Sequence, residues 1–407
     1  MRAGAPFAAA RDSYLDGLGE RDRRLAYELA AGVLRRQAEL DRALVLATAD
    51  PLLHDILRLG AYQLRALARV PAYAAVSTSV ELAREAVGEG GAGYVNRVLR
   101  ELVRTGGGRR EAGATHPRWL LKRWENQFGA AETERLVAWN DTKPLLTLQP
   151  ARWDLDALRS RLQAAGFGVR EAPLGIGLQV VASPASRLPP PAQLPGFAEG
   201  GFVVQDAAHA LVCHYAAIPP GALVYDACSA PGGKAVALER LGARVVAGDA
   251  RPDRIGRLVD TAWRAGVAIR VVVADLQAAP FGDASLGAVF VDVPCTATGT
   301  MARHPDARWR VSEQAIARAA ERQRRLLDAA ARLIRPGGLL VYATCSLEPE
   351  ENSDIVNDFV TRHPEFARDP AHGAVPAQLV TPEGDFQSLP QRDGTDGAYA
   401  ARLTRAG

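Results

Sequence analysis

Three short segments of this 407-residue chain contain the side chains that could carry out chemistry. DACSAPGGK runs from Asp226 to Lys234, DVPC runs from Asp292 to Cys295, and ATCS contains Cys345. Each follows a near-continuous apolar run, which is typical of a strand that is buried on both faces of a parallel sheet. Ligands of such sheets bind at the carboxyl ends of the strands. We therefore expect the three segments to lie along one rim of a sheet.

The segment DACSAPGGK is typical of a turn that holds a cofactor. Gly232 and Gly233, which follow Pro231, let the backbone turn sharply beside a ligand, and the amides that open the next helix offer partial positive charge. The segment is not a P-loop for a nucleoside triphosphate, because Cys228 stands where the first glycine belongs and Ala235 replaces the magnesium-binding Ser or Thr. A purely structural turn is the alternative for this segment taken alone.

Two aspartates end the next two predicted strands. Asp249 follows the glycines by about twenty residues, the position from which a carboxylate accepts hydrogen bonds from ribose hydroxyls. Asp275 ends the strand after it. Beside the glycine turn, this pair indicates an adenosine-containing cofactor, although either aspartate alone could be a helix cap.

The four cysteines, Cys213, Cys228, Cys295 and Cys345, lack metal-ligand spacing, which argues against a structural zinc site and against a disulfide scaffold. A thiol at the end of a strand is a candidate nucleophile, which makes Cys295 and Cys345 the residues of interest. For either of them alone, a small buried apolar residue is the alternative. We expect Cys213 and Cys228 to be packing residues.

The elements that position these segments follow from periodicity. Residues 1 to about 105 are predicted to be helical, with a helix start at Asp50 and Pro51, and Gly106 to Arg110 predicts a break. From about residue 144, short strands around one helix predict a small α+β unit. After Gly200, apolar strands alternate with helices, which predicts a doubly wound parallel sheet.

Composition and charge restrict the function classes. With 48% hydrophobic and 23% charged residues, the chain is neither a disordered polymer nor a membrane protein, and no run could span a bilayer. The first residues are not typical of a secretory signal peptide, so we expect a soluble, cytoplasmic protein. The net charge of +3 permits a nucleic-acid partner. Nine arginines from Arg303 to Arg335 suggest a phosphate-facing surface, with a solvated, salt-bridged helix face as the alternative.

The motifs DACSAPGGK, DVPCTATGT and ATCSLEPEEN closely resemble those of the RNA cytosine-5 methyltransferases, specifically the RsmB (Fmu/Sun) family that acts on small-subunit ribosomal RNA. The resemblance covers nearly the whole chain. It implies a NusB-like helical RNA-binding domain at residues 1–140, a small α+β domain at 141–200, and an α/β Rossmann-like class I methyltransferase domain at 201–407.

This resemblance implies S-adenosylmethionine as the cofactor and methylation of carbon 5 of one cytosine in 16S ribosomal RNA. It makes Cys345 the nucleophile, Cys295 a group that assists product release and Asp292 a contact to the target base, with Lys234 as the fourth catalytic residue. Carbon 5 is a poor nucleophile, and thiolate addition at carbon 6 would place electron density on it. The sulfonium and Lys234 are positive charges that would favour the thiolate.

The resemblance also implies where the cofactor binds. The methionine part would lie in the turn from Cys228 to Lys234, with Asp249 on the ribose and Asp275 near the adenine. The full implied set is Cys228, Ser229, Ala230, Pro231, Gly232, Gly233, Lys234, Asp249, Arg254, Asp275 and Asp292.

Partners follow from the same reaction. The target base must be unpaired or extruded at a cost of a few kcal/mol, which is least in loops, so single-stranded or loop RNA is the expected substrate. The arginines and the helical domain would supply phosphate contacts. We expect a monomer that uses no metal and no membrane.

Three other functions stay open at this point. The first is a cytosine-5 methyltransferase of DNA or of another RNA; the DNA enzyme would take its nucleophile from the Pro-Cys of strand four, Cys295, and would not need Cys345. A non-catalytic RNA-binding antitermination module would not bind S-adenosylmethionine. A methyltransferase of small molecules would leave the N-terminal helices and the arginines unexplained.

Overall fold

The computed structural model describes residues 7, 14–15, 17–44, 50–106, 115–181, 188–371 and 373–407. The chain forms two compact units. The helical unit consists of Met1–Lys143 together with Met301–Arg310, and the sheet unit consists of Pro144–Thr300 together with Val311–Gly407. The domain boundaries expected after residues 140 and 200 stay predictions.

Helices in the described part of the chain occupy both units. They are α1 (Glu20–Leu44), α2 (Pro51–Ala66), α3 (Ala72–Val87), α4 (Glu89–Thr105), α5 (Arg118–Phe128), α6 (Ala130–Asn140), α7 (Leu155–Ala164), α8 (Ala207–Ala216), α9 (Gly233–Arg240), α10 (Pro252–Ala265), α11 (Ala307–Arg310), α12 (Glu313–Leu333), α13 (Ser353–Arg362) and α14 (Pro390–Asp393).

All strands of the described part lie in the sheet unit. They are β1 (Leu146–Pro150), β2 (Gly168–Glu171), β3 (Leu178–Val181), β4 (Phe202–Val204), β5 (Leu223–Ala227), β6 (Arg244–Asp249), β7 (Arg270–Val273), β8 (Leu286–Asp292), β9 (Ile334–Thr344), β10 (Phe366–Arg368), β11 (Phe386–Ser388) and β12 (Ala398–Arg405).

The helical unit begins and packs as its sequence predicts. The Asp50 side chain accepts a hydrogen bond of 2.8 Å from the Leu52 amide, and Pro51 occupies the first turn, where its missing N–H costs nothing, so the predicted start of α2 is confirmed. The apolar faces of α1 to α4 bury Leu40, Leu57 and Leu99 completely. The predicted break lies outside the described residues after Gly106.

One of the nine arginines is not on the surface. Arg308 in α11 is fully buried in the helical unit, where its guanidinium donates to the carbonyl oxygens of Arg35, Thr115 and Asn140 and to the carboxylate of Asp141. Burial lowers its pKa to about 10, although Asp141 favours the charged form. The expectation of a phosphate-facing surface is therefore wrong for Arg308, because the surrounding carbonyls consume its donors.

Several of the other arginines form the salt-bridged helix face that was the alternative. Arg325 pairs with Glu321 one turn away on α12 at 2.6 Å, and Arg324 lies 3.6 Å from Asp358 on α13. These side chains are exposed, so the pairs contribute little to stability.

The small α+β unit contains an antiparallel sheet in the order β2-β3-β1-β4, with α7 packed on it. Its core buries Leu148, Leu158, Leu178 and Phe202 completely. The strands and the single helix that the sequence predicts are confirmed.

The large sheet has the order β10-β12-β9-β8-β5-β6-β7, with β11 paired to β12. Strands β5 to β9 are parallel, as predicted, and both faces are covered by buried apolar residues. Strands β10, β11 and β12 are antiparallel, so the wholly parallel sheet is corrected at this edge. The pairing of Tyr399 with Thr344 brings the start of β12 beside the end of β9.

No helix in the described residues is both long and apolar enough to cross a membrane.

Candidate active site

The carboxyl ends of the parallel strands are level with one another. The register pairs Ala227 of β5 with Gly248 of β6 on one side and with Val291 of β8 on the other, and Asp292 of β8 with Ala343 of β9. The segments that follow β5, β6, β8 and β9 therefore start along one rim of the sheet. This is the placement that the apolar runs predict.

The two strand-end cysteines are in contact. The Sγ atoms of Cys295 and Cys345 lie 3.2 Å apart, and both side chains are half-buried. The pKa of Cys295 is well above its ordinary value, first because its thiol hydrogen-bonds to Cys345 and second because it is buried. Cys295 therefore remains a neutral thiol near pH 7 as long as Cys345 is not covalently bonded to another group.

The other two cysteines are poor nucleophiles. Burial raises the pKa of Cys228 to about 12 and that of Cys213 further above its ordinary value. Cys213 lies in α8 with its sulfur 3.8 Å from the carbonyl oxygen of Lys234. Cys213 is buried in the core, as the sequence analysis expects, whereas Cys228 is half-buried.

A lysine and an aspartate form an ion pair on the same rim. The Nζ atom of Lys234 in α9 lies 2.7 Å from Oδ2 of Asp292 at the end of β8. Burial opposes the charge on Lys234, but the carboxylate of Asp292 more than compensates, so the pKa of Lys234 is raised. Lys234 stays protonated and also interacts electrostatically with Cys345. The four predicted catalytic residues are thus gathered at the ends of β5, β8 and β9.

The turn between β5 and α9 is built by local hydrogen bonds. Cys228 has a positive φ of 61° and Gly232 one of 101°, a conformation that glycine adopts without strain. The Ser229 hydroxyl donates to Oδ2 of Asp226 at 2.6 Å, and the Ser229 amide donates to the carbonyl of Gly248 at 2.9 Å. These bonds hold the turn against the ends of β5 and β6.

Asp249 at the end of β6 is tied to the same turn. Its Oδ2 accepts from the Ala230 amide at 3.3 Å and its Oδ1 from the Arg251 amide at 2.9 Å. Arg254 joins them, because its guanidinium donates to the Ala230 carbonyl at 2.5 Å and lies 3.5 Å from Asp249. Asp249 and Arg254 are thus both bonded to Ala230 in the turn and lie close to each other.

Asp275 caps a helix, which the sequence analysis gave as the alternative to binding a cofactor. It caps a short 3₁₀ turn after β7, with its carboxylate accepting from the Gln277 amide at 2.9 Å. The cap uses one carboxylate oxygen, and Asp275 sits one strand beyond Asp249 on the rim.

Two buried acceptors near the turn have no donor among the described residues. They are Oδ1 of Asp226 and Oε1 of Gln205. Burial raises the pKa of Asp226 to about 7, against the opposing effect of the Ser229 hydrogen bond. The Gln205 amide is 3.6 Å from the point where a Cβ on Gly233 would lie. Buried acceptors are almost always paired in native proteins, so this spot calls for donors from a ligand.

The sequence analysis missed the residues that hold the two cysteine loops. Glu351 is fully buried and accepts hydrogen bonds from Thr296, Ser346 and Gln323. Glu351 lies within the segment ATCSLEPEEN, but nothing in the spacing indicates that its carboxylate reaches the loop after β8. Within the described part of the chain, no three His, Cys, Asp or Glu side chains are grouped so that they could hold a metal ion.

Comparison with known families divides the chain into three parts. Residues 5–104 match the NusB family, and residues 116–182 match the ferredoxin-like domain of RsmF/B-like methyltransferases. Residues 217–404 match the family described as 16S rRNA methyltransferase RsmB/F. The expected fold class is therefore confirmed: a NusB-like helical domain, a small α+β domain of ferredoxin-like type and a Rossmann-like methyltransferase domain.

Similar proteins match over almost the full length. The chain is 33% identical to a probable ribosomal RNA small subunit methyltransferase B of Synechocystis sp., covering 97% of this chain and 96% of that protein. It is 35% identical to ribosomal RNA small subunit methyltransferase B of Vibrio cholerae, covering 95% and 90%. The solved structure of PH0851 has a TM-score of 0.79 at 25% identity and covers 95% of this chain and 91% of its own.

The matches to the NusB and ferredoxin-like parts, to the catalytic part and to these full-length relatives agree, and we conclude that the chain belongs to the RsmB/F family of S-adenosylmethionine-dependent ribosomal RNA methyltransferases.

Proposed function

We propose that this protein methylates carbon 5 of one unpaired cytosine in 16S ribosomal RNA through a covalent adduct between Cys345 and carbon 6 of the base. The observation that carries the proposal is the pair of thiols at adjacent strand ends, 3.2 Å apart. A reaction that only needs a nucleophile requires one thiol. A reaction that forms an adduct and then releases it can use two, one to attack the base and one to assist release. The same proposal places the reaction in the cytoplasm and the enzyme as a monomer.

The residues at the turn fit S-adenosylmethionine, which supplies an electrophilic methyl group when bound. Its methionine amino group is a cationic donor that suits the unpaired acceptors of Asp226 and Gln205. Asp249 would take the ribose hydroxyls and Asp275 the adenine side. The turn that would surround the methionine part comprises Cys228, Ser229, Ala230, Pro231, Gly232 and Gly233, with Arg254 bracing it through Ala230.

Addition to the base is the step assigned to Cys345. Its thiolate forms a bond to carbon 6, and the electron pair of the 5,6 double bond moves to carbon 5, which can then accept the methyl group. Asp292 would contact the exocyclic amine and N3 of the cytosine. Lys234, held protonated by Asp292, supports the thiolate electrostatically.

Release is assigned to Cys295, whose thiol contacts that of Cys345. While Cys345 is free, the hydrogen bond between the two thiols is the main cause that raises the pKa of Cys295. Once Cys345 is bonded to carbon 6 it is a thioether and this cause weakens, whereas burial and the charge of Glu351 still raise the pKa of Cys295. Cys295 then loses its proton to a water molecule, and its thiolate takes the proton from carbon 5. The electron pair of that carbon–hydrogen bond rebuilds the 5,6 double bond, and Cys345 leaves as thiolate.

The test uses RNA that contains 5-fluorocytidine, because fluorine at carbon 5 cannot be removed as a proton and the adduct persists. We expect the wild-type protein and Cys295→Ala to form the adduct with S-adenosylmethionine present, and Cys345→Ala to form none. Cys213→Ala is the matched control, since this buried cysteine lies outside the reaction. Bisulfite mapping of the methylated RNA would identify the cytosine.

Opposite outcomes would select the other functions. If Cys295→Ala abolishes the adduct and Cys345→Ala keeps it, the nucleophile is assigned wrongly and the arrangement is that of DNA enzymes. If calorimetric titration finds no binding of S-adenosylmethionine to the wild-type protein, a non-catalytic RNA-binding role replaces the proposal.

A further inference from the structure

The carboxylate of Glu351 contacts both loops that carry the two thiols. Glu351 has no exposed surface. Its Oε2 accepts from the Thr296 amide at 2.9 Å and from Nε2 of Gln323 at 2.8 Å. Its Oε1 accepts from the Ser346 hydroxyl at 2.7 Å and from the Thr296 hydroxyl. All four donors are neutral, and in the described part of the chain no Lys or Arg pairs with this carboxylate.

The donors are the immediate neighbours of the thiols. Thr296 follows Cys295, and Ser346 follows Cys345. Gln323 of α12 also donates to the Pro294 carbonyl at 3.1 Å, so the backbone is held on both sides of Cys295. The backbone of Glu351 is held against β9, because the Tyr342 hydroxyl donates to the Glu351 carbonyl at 2.7 Å.

We propose that Glu351 is a positioning residue that sets the contact between the sulfurs of Cys295 and Cys345. This inference rests on the proposed two-cysteine reaction. The two loops follow different strands, β8 and β9, and strand pairing ends at Asp292 and Ala343. Beyond that point the Gly299 amide donates to the Cys345 carbonyl at 3.0 Å and the Leu347 amide to the Thr298 hydroxyl at 2.8 Å. The Glu351 carboxylate adds the link nearest the sulfurs, because it accepts two hydrogen bonds from Thr296 and one from Ser346.

The charge of Glu351 also suits this role. Four donors point at its oxygens, an arrangement that satisfies a carboxylate, although burial raises the pKa of Glu351. Its negative charge is one of the causes that raise the pKa of Cys295. The positive charge on this part of the rim is that of Lys234, which interacts with Asp292 and Cys345.

Glu351→Gln is the informative substitution, because it keeps the shape and replaces one acceptor oxygen by an NH2 group that faces donors. Asp354→Asn is the matched control, since Asp354 is exposed on α13 in the same segment. We expect Glu351→Gln to lower kcat by about 30-fold, while the KM for RNA and the Kd for S-adenosylmethionine change by less than about threefold. Asp354→Asn should behave as the wild type.

A second measurement reads the sulfur contact without RNA or methyl transfer. Diamide takes up the two electrons and two protons released when Cys295 and Cys345 join in a disulfide, and mass spectrometry follows the product. We expect the disulfide to form about tenfold more slowly in Glu351→Gln than in the wild type. This outcome would support positioning even if the covalent methylation mechanism failed its own test.

Two results would overturn the proposal. One is a disulfide rate and a kcat for Glu351→Gln equal to those of Asp354→Asn. The other concerns Thr296→Val, which removes one donor, leaves the carboxylate in place and serves if Glu351→Gln does not fold. We expect Thr296→Val to slow disulfide formation by about threefold, and a wild-type rate would contradict the inference.

Discussion

Replacement of the buried Arg308 by methionine should loosen the helical unit. The guanidinium donates to the carbonyl oxygens of Asn140 at 2.8 Å, Arg35 at 3.0 Å and Thr115 at 3.3 Å, and to Asp141 at 3.1 Å. Methionine has a similar stem but no donor. Arg308→Met therefore leaves the three carbonyls without this partner.

The magnitude follows from two opposing effects. Loss of the donor costs about 2 kcal/mol for each of the buried carbonyls of Thr115 and Asn140 and about 1 kcal/mol for the half-buried one of Arg35, together about 5 kcal/mol. The pKa of Arg308 is lowered from 12.5 to about 10, net of the attraction to Asp141. At 1.36 kcal/mol per unit, removal of the buried charge recovers about 3 kcal/mol. The expected loss of stability is therefore about 2 kcal/mol.

The assay is hydrogen exchange of the backbone amides of α5 and α6, followed by mass spectrometry under native conditions. A loss of about 2 kcal/mol corresponds to an exchange rate about 30-fold higher for amides that exchange through opening of the unit. Arg135→Met is the control, because Arg135 is an exposed arginine of α6 and its loss should change stability by less than about 0.5 kcal/mol. Equal exchange in the two variants would refute the reasoning.

Two further predictions concern a histidine and a glycine. Burial, and after it the charge of Arg308, lowers the pKa of His116 well below its ordinary value. Below about pH 6.5 the unfolded chain therefore binds more protons at this histidine than the folded chain does. The free energy of unfolding should fall as the pH falls, by up to about 1.4 kcal/mol per pH unit. Urea unfolding of the wild type and of His116→Gln between pH 7 and pH 5 checks this, and identical pH slopes would contradict it. A Cβ on Gly299 would lie 2.8 Å from the Cys345 carbonyl and 2.8 Å from the Gly397 backbone, so Gly299→Ala should displace the cysteine loops and lower kcat about 10- to 100-fold. Gly256→Ala, where a Cβ meets nothing within 4 Å, is the control in the methylation assay, and an equal kcat for the two variants would show that the loops tolerate the shift.

Local sequence patterns were sufficient to predict the buried strands, two helix ends and the family of this protein. The apolar runs before Asp226, Asp292 and Cys345 predict buried parallel strands whose ends meet, and the structure places them in one register. The helix start at Asp50 and the glycine that ends α5, Gly129, depend only on adjacent residues and were also predictable. The motifs around these positions were sufficient to indicate the family, because they combine rare residue types at fixed spacing.

The tertiary structure decided the contacts between segments that are distant in the chain. The burial of Arg308 depends on carbonyls of residues 35, 115 and 140, and the role of Glu351 depends on donors of residues 296, 323 and 346. The antiparallel edge strand β12 is another such feature. Periodicity reports which face of an element is apolar, but a hydrogen bond depends on a few ångströms of relative placement, and that placement is settled only when all the elements pack together.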